Sequence, residues 1–515
     1  MYSMIMSGAI RGMASYLVQV EVDISQGLPG FEMVGCLSSE VKEAKERVRV
    51  ALKNAGYALP PMRITVNISP GDIRKGGTAY DLPVAVGILQ GMNVVKEQAT
   101  RNVLVIGELG LNGEVRSVSG VLPIVMEAAK QGITCCVLPK ENEQEAAVVK
   151  GVDTYGMTHI DDVVRFFKEP ANPPFEKASV DVQKMLGCDV KYAEDFEDIQ
   201  GQEMIRRGAE IAAAGFHHML LIGPPGSGKT MIAKRMPSVL PLMSLEESLE
   251  VSTIYSVAGL LSEKQSLITT RPFLNPHHTI TSQALAGGGY VPKPGVISLS
   301  HRGVLFLDEL PEFKKEALEI LRQPLEDKKV QIARKGGTFT YPANCLLIGA
   351  MNPCPCGYYP DRNRCNCRAH DIHRYLNKIS GPMRDRMDMI LETKNVDVEK
   401  LSSHKKGESS AKMRERIECA RQMQKERFKG TELLFNSDMK PSDLSKYCHL
   451  GKAETTVMEQ LFHTFGLSAR AYHKIIKVAR TIADLEESKL IKKEHLLEAS
   501  CFRKTNSHYF GEDKV

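Results

Sequence analysis

Residues 218–236 read HMLLIGPPGSGKTMIAKRM, an order of strand, glycine-rich turn and helix. The leading run HMLLI is apolar in the manner of a strand buried on both faces. Gly223, Pro224, Pro225, Gly226, Ser227, Gly228, Lys229 and Thr230 then fit the pattern G-x-x-x-x-G-K-[ST]. Glycines in such a loop let backbone N–H groups close around phosphate oxygens, and the start of the next helix adds its positive dipole end. Lys229 is placed to reach the β- and γ-phosphates, and Thr230 to hold Mg²⁺ through its hydroxyl. A fortuitous glycine-rich turn would lack the flanking strand and helix. The stretch therefore predicts an α/β fold with a parallel sheet and a site for ATP with Mg²⁺.

A site of this kind needs an acidic strand end, and residues 303–310, GVLFLDEL, supply one. Asp308 is expected to bind Mg²⁺ through its water shell and Glu309 to polarise the water that attacks the γ-phosphate. A strand ending in acidic residues is common by itself. Paired with the phosphate loop, it predicts ATP hydrolysis.

Outward from this core, 515 residues leave room for about three domains. Residues 1–168 alternate strand and helix signals and form the first. There, residues 16–24 alternate with period two, 64–68 and 103–106 are short apolar runs, and 39–56 and 121–131 have helical spacing. Residues 169–176, EPANPPFE, are rich in prolines and open a linker over 169–195. The ATPase core is expected over 196–398 and a helical lid domain over 399–515, with helices at 412–428, 453–465, 469–487 and 493–503. In the third of these, Ile475, Val478, Ile482 and Leu485 share one face, a core stripe.

Hydrophobic residues at 43% and charged residues at 25% match soluble globular proteins and exclude a disordered, fibrous or coiled-coil chain. The net charge of +5 is small, so any nucleic-acid surface must be local. The longest apolar stretch, residues 82–95, falls short of the ~20 residues of a membrane span. Residues 1–13 carry no secretory pattern, and twelve cysteines in so long a chain make no disulfide scaffold. A cytoplasmic protein without a membrane partner is expected.

Residues 195–228, 275–313 (NPHHTITSQALAGGGYVPKPGVISLSHRGVLFLDELPEF) and 349–357 (GAMNPCPCG) carry the pattern further. With these motifs the chain resembles the YifB/ComM family of magnesium-chelatase-like AAA+ ATPases over nearly its whole length. The resemblance implies a homo-oligomeric ring, a hexamer, that works on DNA. It also implies that Asn352, after the strand CLLIGAM, is a sensor-1 residue orienting the lytic water. Arg386, in SGPMRDRMD, matches the arginine finger that completes a neighbour's site. Two apolar residues usually precede that Asp-Arg pair; here they are Met383 and Arg384. Arg470, in GLSARAYHKIIKVART, matches the sensor-2 arginine. By residue type alone, Asn352 can simply start a turn before Pro353, and each arginine can be a solvated charge.

Residues 103–139 resemble the α+β Lon protease fold, of the ribosomal S5 type 2 kind. The Lon mechanism uses a serine activated by a lysine. At the serine's place residues 75–87 read KGGTAYDLPVAVG, with Asp81 near the nucleophile's position and Thr78 the nearby hydroxyl. At the lysine's place residues 119–129 hold none. This domain is expected to bind or assemble without cleaving peptides.

Cys354, Cys356, Cys365 and Cys367 form two C-x-C pairs, with His370 and His373 nearby. Thiolates suit tetrahedral Zn²⁺, although structural sites usually space their ligands wider. The alternative is four reduced cysteines packing a loop, and both readings stay open. Residues 324–342, PLEDKKVQIARKGGTFTYP, read as a β-hairpin with Arg334 and Lys335 at its tip. Related motors point such a hairpin into the ring's channel, where basic residues would hold DNA phosphates without sequence preference. A solvated turn is the plainer alternative.

Three functions follow: a branch-migration, helicase-like DNA motor in DNA uptake or recombination, an ATPase driving metal insertion into a tetrapyrrole, or an ATP-dependent protease. The missing Ser–Lys pair counts against the last. True chelatase motor subunits lack this N-terminal domain, which counts against the second. The DNA motor is expected.

Overall fold

The computed structural model describes all residues except 171, 188–191, 263–264, 290, 335–336, 395–406 and 511–515, and no side chain of 504–508. The expected boundary at 398/399 and the hairpin residue Lys335 thus lie outside the described residues.

The central sheet has five strands in the order Phe273–Leu274, Val304–Leu307, Leu346–Met351, Met219–Ile222, Met389–Glu392, all parallel. Val304–Leu307, Leu346–Met351 and Met219–Ile222 are buried at every position, as continuous apolar runs covered on both faces should be. The register sets Met219 beside both Ile348 and Met389, and Leu307 beside Gly349. Because all strands point one way, Gly223, Asp308 and Asn352 leave the sheet at its carboxyl edge. Crevices outside that edge are where open α/β sheets bind ligands. Residues preceding the same strands (His218, Asn344, Asp388) line the opposite, amino edge.

The N-terminal sheet has seven strands in the order Gly30–Val34, Arg63–Ser69, Ala14–Ser25, Tyr2–Arg11, Val103–Val105, Cys135–Pro139, Asp153–Met157. The period-two stretch at 16–24 is the middle of Ala14–Ser25. Its antiparallel partner Tyr2–Arg11 gave no such signal, because small residues interrupt its pattern where helix Val121–Lys130 packs close. A Cβ on Gly8 would stand only 2.1 Å from Ile124 Cγ2. The apolar stretch at 82–95 is a core helix, Asp81–Gly91, with every residue buried. Among the described residues no helix is long and apolar enough to cross a membrane. Within the segment at 169–195, Ala178 bridges Thr154 and Val182–Gly187 is a short helix.

Helix Leu245–Ala258, which sequence periodicity did not reveal, joins the two sheets' domains. It starts on a capping box between Ser244 and Glu247. At its other end Ser256 O accepts the Gly120 amide at 2.9 Å, and Ser256 Oγ donates to Glu145 Oε1 at 2.5 Å. Glu145 also accepts the Leu122 amide at 2.9 Å; burial still pushes its pKa up.

The C-terminal region is helical and includes Ser410–Arg427, Lys452–Phe465, Ala469–Leu485 and Lys493–Phe510. Ile475, Val478 and Ile482 are buried and share one core with Ile205, Ala209, Met413 and Ile417. Inside it Asp484 is fully buried between Arg427 (2.5 and 2.8 Å) and Arg480 (3.1 Å).

Candidate nucleotide site

Three strand ends build the site at the carboxyl edge of the sheet. After Met219–Ile222 the chain turns through Gly226 and Gly228, whose φ angles of +76° and +84° favour glycine, into helix Lys229–Val239. Lys229 Nζ donates to the carbonyls of Gly223 at 2.7 Å and Pro224 at 2.9 Å, and to Asn352 Oδ1 at 3.3 Å. Among the described residues no carboxylate pairs with it there. Burial pulls its pKa down to about 8, and the Asp308 charge only partly opposes this.

Thr230 Oγ1 donates to Asp308 Oδ2 at 2.8 Å, so the hydroxyl and the carboxylate converge as a Mg²⁺-binding pair would. Asp308 Oδ1 accepts the amide of Glu309 at 3.0 Å. Glu309 sits at φ +50°, a left-handed conformation unusual for a non-glycine residue. That turn aims its side chain, 61% exposed, outward from the strand end. Its partner is His278, whose Nδ1 lies 3.4 Å from Glu309 Oε2 and whose ring packs, tilted, against His277 with centroids 4.1 Å apart.

Two of the residues touching this cluster were not anticipated from sequence. His278 follows strand Phe273–Leu274, whose two residues give no periodic signal; the quoted NPHHT run was the available hint. Gln202, at φ +56°, donates its side-chain amide to Ser227 O at 2.7 Å and braces the phosphate loop from outside.

Arg386 and Arg470 are elsewhere. Both line a cavity of about 990 Å³ with His218, Asn344 and Asp388, at the amino edge of the sheet. A strand of four to six residues separates the two edges, roughly 13–20 Å at about 3.3 Å per residue. Arg386 pairs with Glu326 at 2.5 Å and donates to Pro382 O at 3.0 Å, while its buried Nε finds no partner among the described residues. Arg470, 66% exposed, is 3.9 Å from Asp385. Arg384 instead stacks its guanidinium on the Phe510 ring at 4.5 Å. One chain thus holds a phosphate loop on one edge and both arginines on the other.

The basic hairpin forms as Lys329–Arg334 paired with Gly337–Pro342, in the register Arg334 opposite Gly337. Arg334 is exposed, and Lys335 is outside the described residues. The turn of the first N-terminal hairpin reaches it: a Cβ on Gly337 would be 2.3 Å from Arg11 Nη2. Arg11 is a second basic residue at this tip, contributed by a different domain.

In the N-terminal domain Asp81 is fully buried and bound by Arg47 through Nε at 2.7 Å and Nη2 at 2.9 Å. Thr78 donates to Glu108. Leu122, on the helix that follows Ser119 and Gly120, is buried. The four cysteines at 354–367 gather directly after Asn352, and neither His370 nor His373 joins that cluster.

Three family profiles match the chain in succession: subunit ChlI of Mg-chelatase over residues 20–142, magnesium chelatase subunit ChlI over 195–401, and its C-terminal part over 407–503. The chain is 40% identical to the uncharacterized protein YifB of Escherichia coli (strain K12) over 506 residues, 97% of each chain. It is 39% identical to competence protein ComM of Haemophilus influenzae over 504 residues, again 97% of each. The chain belongs to the YifB/ComM family of magnesium-chelatase-like AAA+ ATPases. A Lon protease of Mycolicibacterium smegmatis also matches, at 25% identity over 175 residues, which is 32% of this chain and 22% of that protein.

Proposed function

We propose that this chain is an ATP-driven ring motor that remodels DNA, with each active site shared by two subunits. The observation that carries the reading is the split between the two edges of the sheet. Lys229, Thr230, Asp308, Glu309 and Asn352 meet at one edge, while Arg386 and Arg470 stand at the other. Arginines so placed serve phosphates bound by a neighbour, and a closed ring of like subunits, a hexamer by family resemblance, supplies one at every interface.

In this reading Lys229 moves its ammonium from backbone carbonyls to the β- and γ-phosphates. Thr230 and Asp308 would hold Mg²⁺, which would supply positive charge beside the phosphates. Glu309 leaves His278 to take the proton side of the attacking water, and Asn352 orients that water. The neighbour's Arg386 stabilises the departing charge. Arg11, Arg334 and Lys335 would track a DNA backbone by charge alone. The name of the competence protein relative supports this substrate.

The test is the ATPase rate of the full chain with branched DNA, single-stranded DNA or a porphyrin. The reading expects DNA to raise turnover, and Arg334→Ala with Arg11→Ala to lower that increment. Stimulation by porphyrin and not by DNA would favour metal insertion instead.

A further inference from the structure

We infer that Cys354, Cys356, Cys365 and Cys367 bind one Zn²⁺, and that this ion fixes the lobe against which the phosphate loop rests. All four are free thiols, and their sulfurs lie within 4.8 Å of one another. Cys354 Sγ is 3.3 Å from Cys356 Sγ and 3.7 Å from Cys365 Sγ, and Cys356 to Cys365 is 3.5 Å. Four sulfurs about 2.3 Å from a central ion stand about 3.8 Å apart at the corners of a tetrahedron, so the cage needs little adjustment to close on Zn²⁺. Four ordinary thiols brought this close would instead crowd their sulfurs with only weak S–H hydrogen bonds in return.

The surroundings supply hydrogen-bond donors and positive charge beside the sulfurs. The Tyr359 amide points at Cys354 Sγ from 3.4 Å, as backbone donors do around metal-bound sulfur. Four thiolates and one Zn²⁺ leave a net negative charge, and the same loop carries Arg362, Arg364 and Arg368. Arg362 Nη1 donates to Cys367 O at 3.3 Å, and Arg364 stacks on Tyr358 at 4.1 Å. Among the described residues no histidine or carboxylate enters the group. The donor set is all sulfur, which selects a soft, tetrahedral ion over Mg²⁺ or Ca²⁺.

The lobe reaches the nucleotide site through one glycine. Gly357, at φ +87°, packs so closely that a Cβ there would be 2.5 Å from Pro225 Cδ in the phosphate loop. The first cysteine is two residues beyond Asn352, the partner of Lys229. On its far side Tyr359 packs against Tyr509 of helix Lys493–Phe510, ring centroids 6.2 Å apart. A cross-link among Cys354–Cys367 therefore holds both Asn352 and the backing of Pro225. This second half of the inference rests on the nucleotide reading above; the metal itself does not.

Full-length protein purified under reducing conditions, without a metal-affinity tag or added zinc, should carry about one zinc per chain by elemental analysis. Reconstitution with Co²⁺ after zinc removal should give the intense visible bands and sulfur-to-metal charge transfer of a tetrahedral thiolate site. Cys365→Ser with Cys367→Ser should lower metal content at least tenfold. Metal-free wild-type protein with four freely titrating thiols, or an iron-sulfur chromophore, would overturn the assignment, and neither result depends on a variant folding. Gly357→Ala should keep the zinc and weaken Mg-ATP binding tenfold or more. Unchanged nucleotide affinity in that variant would refute the coupling while leaving the metal site standing.

Discussion

Lys229 should make nucleotide affinity depend on pH in a window where few other groups titrate. Its ammonium is buried among carbonyl oxygens, and its pKa stands at about 8 in the free chain against 10.5 for an ordinary lysine. The sign follows from the direction. A lysine with a lowered pKa is charged below about 8 and neutral above it, whereas bound triphosphate demands the charged form. Above pH 8, binding must therefore take up a proton, and the dissociation constant for Mg-ATP should rise towards tenfold per pH unit between about 8.5 and 9.5. ATP does not confound this window, since its terminal phosphate ionises near pH 6. Below about pH 7.5 the affinity should be flat. Lys229→Ala should abolish the slope, and its lost charged hydrogen bonds, about 1.5–3 kcal/mol each, should weaken binding at pH 7.5 by roughly 10- to 100-fold or more. Titration of a fluorescent ATP analogue against full-length protein at several pH values measures both. An affinity constant from pH 7.5 to 9.5, or an equal slope in Lys229→Ala, would refute the assignment of that lysine to the phosphates.

Glu309→Gln should leave Mg-ATP affinity unchanged and lower phosphate release by about 10²–10⁴, the span of positioned acid–base groups. Asp484→Ala should strand Arg427 and Arg480 in the helical core, and loss of a buried partner costs about 3–5 kcal/mol. A thermal or urea transition moved by less than about 0.5 kcal/mol would show that the pair is not holding those helices. Asp81→Asn, which breaks the buried pair with Arg47, should destabilise the N-terminal domain, seen as a lowered thermal transition, while ATP hydrolysis by the protein that stays folded continues.

Local patterns made one half of the candidate site legible. The phosphate loop, Asp308 with Glu309, and Asn352 each sit at the end of an apolar run, and a parallel sheet delivers every such end to one edge. What those patterns could not convey was distance between elements far apart in the chain. His278 meets Glu309 because strand Phe273–Leu274 borders Val304–Leu307, a pairing too short to leave a periodic signal. Arg11 meets the basic hairpin through domain docking, and that docking runs through helix Leu245–Ala258, whose low amphipathicity hid it. Arg386 and Arg470 could be matched to motifs, but only the strand order puts both on the far edge from Lys229. Strand Tyr2–Arg11 was masked by the small residues its close packing requires.

The shared active site is tested most directly by mixing two inactive variants. Arg386→Ala should bind Mg-ATP normally and hydrolyse it poorly, since an arginine finger contributes roughly 10³–10⁵ in rate. Lys229→Ala should bind Mg-ATP weakly and hydrolyse it poorly. Mixed at concentrations where rings form, the two should regain ATP hydrolysis, because some interfaces then join an intact phosphate loop to an intact arginine. If the variants demonstrably co-assemble and no mixing ratio restores activity, or if Arg386→Ala alone hydrolyses ATP at the wild-type rate, the arginine does not act across the interface and the proposed ring motor fails with it.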